Sequence, residues 1–147
     1  PLTLETVDPA VLTVEGDRLT GEGAGACALL VLAPERGVLD FIHSGVSPPA
    51  RAARHRWTAD GRAMGEVDGA VQLFPDDELI LSPVLFSAFQ RLSGSAAASW
   101  TVDAAVLATA DLGIAGRRRF VARQAGQTRI LAEVLGMTAA VEVEVLP

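Results

Sequence analysis

The sequence predicts an all-β protein, a β-sandwich accompanied by a smaller, partly duplicated N-terminal β unit, and three observations point there. Near the C-terminus, Val141, Val143 and Val145 alternate with Glu142 and Glu144, the period-two pattern of a strand with one buried face. Short apolar runs recur at roughly ten-residue spacing between Gly, Pro and Asp, which suits a sandwich better than a helical or βαβ fold. Thr6-Val7-Asp8-Pro9-Ala10-Val11-Leu12 also returns as Thr101-Val102-Asp103-Ala104-Ala105-Val106-Leu107, so part of the chain is an internal duplication.

Taken in order, Val11 to Glu15, Ala26 to Leu32 and Val38 to Ile42 read as strands. From Ser47 to Arg56 the character changes. Ser47 is an N-cap candidate, Pro48 and Pro49 suit a first helical turn, and good helix formers follow, so a short helix or a basic linker is expected. A boundary between 45 and 70 follows from this, with residues 1–69 as the N-terminal unit and 70–147 as the sandwich. Leu79 to Leu81 forms a strand after the acidic turn Pro75-Asp76-Asp77-Glu78. The apolar residues of Val84 to Leu92 fit a helix or a buried strand equally well. Ala98 to Val102 and Phe120 to Arg123 are further short strands. Ile130, Ala132 and Val134 then alternate with Arg129, Leu131 and Glu133, and Leu135 to Thr138 supplies the Gly of a tight turn into the last strand.

Composition sets outer limits. The chain has 147 residues and is half apolar, enough to bury a core. Eighteen acidic against twelve basic residues give a net charge of -6, which disfavours nucleic acid or an anionic membrane as partner. Cys27 is the single cysteine, so no intramolecular disulfide is available. The start has neither a basic n-region nor an apolar h-region, and no run approaches the ~20 apolar residues of a membrane span.

Several residue groups invite a chemical reading. Gly21 to Ala26 satisfies G-x-G-x-x-G/A, but Asp17-Arg18-Leu19-Thr20 precedes it and Pro34 ends the run that follows, so a plain turn is expected and no cofactor. Cys27 lies in an apolar run, where a thiol is buried and inert, and His43 and His55 are the only histidines. The carboxylates of Asp76, Asp77 and Glu78, with Glu66 and Asp68 nearby, match no calcium-loop spacing. Two basic clusters, Arg51, Arg54 and Arg56 beside His55 and then Arg117, Arg118 and Arg119, are the candidate partner-binding residues. Net negative charge and the lack of interleaved aromatics favour protein contact or solvated surface over intersubunit salt bridges, and both over nucleic acid.

Asp8 to Glu15, the turn at Gly16-Asp17, and Leu19 to Ala26 leading into an apolar strand resemble the bacterial immunoglobulin-like modules of group 2, the type found in invasin- and intimin-like proteins. The second copy is fuller: a strand at Val84 to Phe89, a core Trp at Trp100, Asp103 to Val106, Phe120 to Ala122, Gly126 ahead of Thr128 to Val134, and Thr138 to Val145. The resemblance implies an immunoglobulin-like sandwich. In the first copy Leu4 stands near the place of the core Trp, and the first two strands are missing. Residues 57 to 74 are expected to fold back and complete that unit. The function implied is non-enzymatic, a structural or binding module without metal or cofactor, oligomeric with protein subunits of a larger assembly. Two settings fit. The absence of an export signal puts an accessory or decoration component of a phage or phage-like particle, assembled in the bacterial cytoplasm, ahead of a stalk or adhesive module of a bacterial cell-surface protein with a glycan or receptor partner.

Overall fold

The computed structural model describes residues 2–88, 90–114 and 116–147, and every described element is a β-strand. The chain divides into two compact units, Pro1–Pro48 and Pro49–Pro147. The all-β class expected from the sequence is what the structure shows; the division lies within the expected 45–70 range, ahead of the 69/70 bound given to the units.

Unit 1 holds strands β1 (Thr3–Thr6), β2 (Leu12–Glu15), β3 (Arg18–Gly21), β4 (Gly25–Ala33) and β5 (Gly37–Val46). They form an antiparallel sheet in the order β1-β4-β5 and a separate hairpin, β2-β3. A small core of Val11, Leu12, Cys27 and Leu29 lies between them, flanked by Leu4, Val14 and Val46.

Unit 2 holds β6 (Arg51–Trp57), β7 (Ala63–Glu66), β8 (Val71–Leu73), β9 (Glu78–Phe86), β10 (Ser99–Thr101), β11 (Leu107–Asp111), β12 (Arg118–Ala122), β13 (Gly126–Val134) and β14 (Met137–Val145). One sheet runs β10-β13-β14-β8 and the other β11-β12-β9-β6-β7. Their inner faces meet in a core that includes Leu79, Leu81, Leu107, Phe120, Ile130, Val141, Val143 and Val145, with Trp100 packed against it. The indole lies edge-on to the Phe120 ring at 5.4 Å. The alternating valines of β14 face inward, as their period requires.

Three expectations give way. Residues 51–56 are neither helix nor linker but strand, and only 47–50 ahead of them carry none: β6 begins at Arg51 and pairs along its length with β9. Pro48 and Pro49 favour extended backbone for the residue before each, and Ala53 and His55 alternate with Arg54 and Arg56 at strand period. The segment from 57 to 74 does not complete unit 1 either. Its strands β7 and β8 pair with β6 and β14 inside unit 2. Third, Leu79 to Leu81 and Val84 onward are one strand, β9, broken by neither Pro83 nor a turn. Pairing with β12 ends at Leu81, so Pro83 sits where that side of β9 is an edge and no ladder bond is lost. Phe89, named at the end of that run, lies outside the described residues; Leu92 beyond it returns its N–H to the Leu85 carbonyl at 2.8 Å.

The duplicated motif folds the same way twice. The Asp8 carbonyl accepts from Val11 and Leu12 N–H at 3.1 and 3.0 Å, and the Asp103 carbonyl from Val106 and Leu107 at 3.2 and 3.0 Å. Each carboxylate accepts from the residue two ahead, Ala10 at 3.0 Å and Ala105 at 2.9 Å. The valine carbonyls take Glu22 N–H and Arg123 N–H, both at 2.9 Å. Gly25 and Gly126 open the next strands, and a Cβ on either would press on the valine, Val11 at 2.9 Å or Val106 at 3.4 Å. Aligned on these glycines, Leu4 opposes Val31 as Trp100 opposes Ala132, so Leu4 does occupy the Trp position.

The turn between β13 and β14 is a two-residue loop with Leu135 at φ 49° and Gly136 at φ 75°, the left-handed pair of a type I′ hairpin. Leucine is costly there, and Leu135 is exposed, so nothing recovers the cost through packing. Replacing Leu135 by Asn should stabilise the chain by about 0.5–1 kcal/mol, seen as a higher denaturation midpoint at unchanged slope. Conversely, Asp103→Ala removes the carboxylate acceptor and should cost about 1 kcal/mol in the same measurement, whereas Asp103→Asn should retain most of it.

Candidate functional site

The arginines singled out by the sequence converge on one sheet of unit 2 but divide between its faces. Arg51, Arg54 and Arg56 lie on β6, Arg118 and Arg119 on β12, and Arg117 just ahead of it. Residues directly opposed across an antiparallel pair share a face. Arg56 opposes Leu81, and Leu81 opposes Arg118, so these two arginines and Arg54 share the face of the buried Leu81. Arg51, His55 and Trp57 are on the other face, which Arg119 joins through Ile80. The six do not form one basic surface.

Most are also engaged. Arg51 pairs with Glu66 at 2.9 Å and stacks on the Phe86 ring at 4.1 Å. Arg118 pairs with Asp111 at 3.5 Å, Arg119 with Glu78 at 3.3 Å, and Arg54 donates to the Val67 carbonyl at 2.7 Å. Exposed pairs of this kind are worth about 0–1 kcal/mol each, so they orient strands more than they stabilise them.

Arg117 has a different partner. Its guanidinium lies 3.5 Å from the centroid of Trp57, whose Nε1–H donates to the buried Ser82 hydroxyl at 2.7 Å. Arg117 lines two shallow hollows of about 280 and 290 Å³. Glu78, Arg119 and Asp60 border the first, Trp57, Arg91 and Ser82 the second. Both fall below the roughly 300–1,000 Å³ typical of small-molecule sites. Trp57 was not a candidate from the sequence; its alternation with His55 and Ala53 was the available signal.

The other sequence candidates have structural duties. The carboxylate of Asp77 accepts from Phe74 N–H at 2.8 Å, and the turn it closes exchanges bonds with Ala122: Asp76 N–H to the Ala122 carbonyl at 2.9 Å, Ala122 N–H to the Asp77 carbonyl at 3.0 Å. Among the described residues no cluster of His, Cys, Asp and Glu could hold a metal ion. The glycines of the G-x-G-x-x-G/A stretch form the turn from β3 to β4, where a Cβ on Gly23 would meet the Ala10 carbonyl at 2.7 Å. Cys27 is buried on β4 and its sulfur is 3.8 Å from the Thr6 hydroxyl. Its counterpart in unit 2 is Thr128, whose hydroxyl accepts from Asp103 N–H at 3.3 Å, so Cys27 occupies a position tied to the duplicated turn. His43 lies on β5 with its ring edge-on to Phe41 at 5.3 Å.

No family model matches the chain, and no curated protein does. Among the solved structures it is similar to are several of the S-layer protein SbsC. Its domains 4 and 5 are 16% identical with a TM-score of 0.49, covering 99% of this chain and 77% of that one. A structure of its domains 4–9 is 17% identical with a TM-score of 0.49, and this chain spans 22% of it. At such scores the likeness bears on neither family nor function.

His55 is the buried titratable group of unit 2. Burial of the imidazole comes first in holding its pKa below the ordinary 6.5; Arg91 and Arg51 lower it further, and Glu66 opposes them. Its Nδ1 has no hydrogen-bond partner among the described residues. A histidine whose folded pKa is depressed gives stability that is whole above 6.5 and is lost as pH falls, because the unfolded chain takes up the proton more readily. The denaturation midpoint should therefore drop between pH 7 and 5.5, and His55→Gln should flatten that drop; equal slopes in the two proteins would remove His55 as its cause.

Proposed function

We propose that the chain is a stretch of a tandem array of immunoglobulin-like modules of the bacterial group 2 kind, serving as a non-enzymatic structural element of a cell-surface protein. The observation that supports this reading is the pairing of a half module with a whole one. The strands β1 to β5 follow the order, pairing and turn bonds of β10 to β14. Among the described residues, nothing in unit 1 corresponds to β6 through β9. A segment taken from an array at a point inside one repeat has this form, a second half followed by a complete copy.

Repetition also suits the task. Modules that each bury their own core can be joined in series, and length is then set by their number. The partners on this reading are neighbouring modules and protein subunits of the assembly, met through loops and strand edges. A decoration or tail component of a phage-like particle gains no support from the fold.

The reading is tested by the nucleotide sequence around the coding region. Further copies of the Thr-Val-Asp-x-Ala-Val-Leu motif, at the spacing that separates Thr6 from Thr101, are expected on at least one side within the same frame. A frame confined to these residues, with no other copy, would overturn the array.

A further inference from the structure

Unit 1 has the edges of a sandwich without the strands that close them. In unit 2, β12 is covered by β9 and β14 by β8. One continuous stretch, Val71–Phe86, supplies both strands, crossing between the sheets through the turn at Phe74–Asp77. The equivalent edges of unit 1, on β3 and β5, have no strand beside them among the described residues.

The register identifies what is uncovered. Counting from Gly25 and Gly126, Leu19 takes the place of Phe120, Gly21 that of Ala122 and Ile42 that of Val141. Phe120 is 0% exposed and Leu19 46%; Val141 is 2% exposed and Ile42 50%. The difference is the covering segment, since Leu79 of β9 opposes Phe120 directly. Arg18 stands where Arg119 stands, and Arg119 has Glu78 as its ion-pair partner. Ser44, Gly45 and Val46 take the places of Val143, Glu144 and Val145, which hold Val71, Gln72 and Leu73 in parallel.

We propose that unit 1 is an acceptor for a β-strand segment of the Val71–Phe86 type, supplied by the same polypeptide directly ahead of β1. The occupant reads as a short apolar strand for the β5 edge, an acidic turn that bonds to Gly21, and an apolar strand led by a carboxylate that meets Arg18. Main-chain pairing to an open edge supplies affinity, and alternate side chains filling the core supply selectivity. The source is in cis because in unit 2 the same segment precedes the same five strands, joined to β10 by residues 87–98. This inference rests on the array reading, in which the preceding half repeat lies there.

The test extends the full chain at its N-terminus with a copy of its own residues 71–98 and compares it with a scrambled extension and with the unextended chain. Hydrogen–deuterium exchange is read over β3 and β5. The matching extension should slow exchange there by about tenfold or more, leaving β12 and β14 as they were, and the scrambled one should not. A synthetic peptide of residues 71–86 added to the unextended chain should protect the same amides at higher concentration. Unchanged exchange in β3 and β5 with the matching extension overturns the acceptor and leaves the array standing. A frame without further repeats removes the array and the cis donor whatever the graft does. Dimers of the unextended chain that protect β3 and β5 would assign the strands to a second copy and overturn the cis source.

Discussion

The turn from Phe74 to Asp77 carries the chain from one sheet of unit 2 to the other and sets β9 against β12 over the core. β8 ends one sheet and β9 lies at the centre of the other, so these four residues place an edge strand and a central strand on opposite sheets within one short step. The turn is held at both ends. Asp77 caps Phe74 N–H through its carboxylate, and Asp76 and Asp77 exchange main-chain bonds with Ala122 on β12. Asp76 takes a left-handed backbone, φ 70°, which aspartate tolerates better than most side chains. Once β9 is laid against β12, Leu79 and Leu81 enter the space that Phe120, Ile130 and Val143 enclose. Each buried side chain of that size contributes about 1.5–3 kcal/mol, so the crossing commits a large share of the free energy of folding.

The duplicated turn works at shorter range. Its bonds join residues two to four apart, with one longer bond to the next loop, and none requires a second sheet. That is why they are reproduced in unit 1, where the second sheet is reduced to a hairpin. What is lost there is non-local. Val11, Leu12, Cys27 and Leu29 remain buried, while β3 is exposed along its whole length and most of β5 is exposed. Local hydrogen bonding thus persists in unit 1 although its core is small.

How much of this was legible depended on the same distinction between near and far. The β13-β14 hairpin could be read because Val141, Val143 and Val145 alternate over an uninterrupted run and Gly136 marks the turn. β6 could not. Its charged positions, Arg54 and Arg56, look like a solvated helix face after a Ser-Pro-Pro start, and the alternation with Ala53 and His55 becomes decisive when these two lie opposite Val84 and Ser82. The unit assignment of residues 51–69 moved for the same reason: β6 and β8 are short, and their partners β9 and β14 lie further along the chain. The arginine clusters were legible as residues but not as a surface. Adjacent arginines in a strand point to opposite faces, so Arg118 and Arg119 separate by rule. Arg117, just ahead of β12, is then recruited by Trp57 of β6, a contact that no spacing announces.

The open edges of unit 1 on β3 and β5 bear on how such edges behave. A strand edge whose backbone is already fixed by neighbours loses little further freedom when another strand joins it. In unit 1 the hairpin β2-β3 is fixed by its own register and by the Asp8 turn, and β5 by its long pairing with β4. Both are therefore preformed for strand addition even though the core between them is small. In unit 2 the matching strands are buried by β8 and β9, which precede them in the chain and would be made first in synthesis from the N-terminus. In that order β10 to β14 meet β8 and β9 already present.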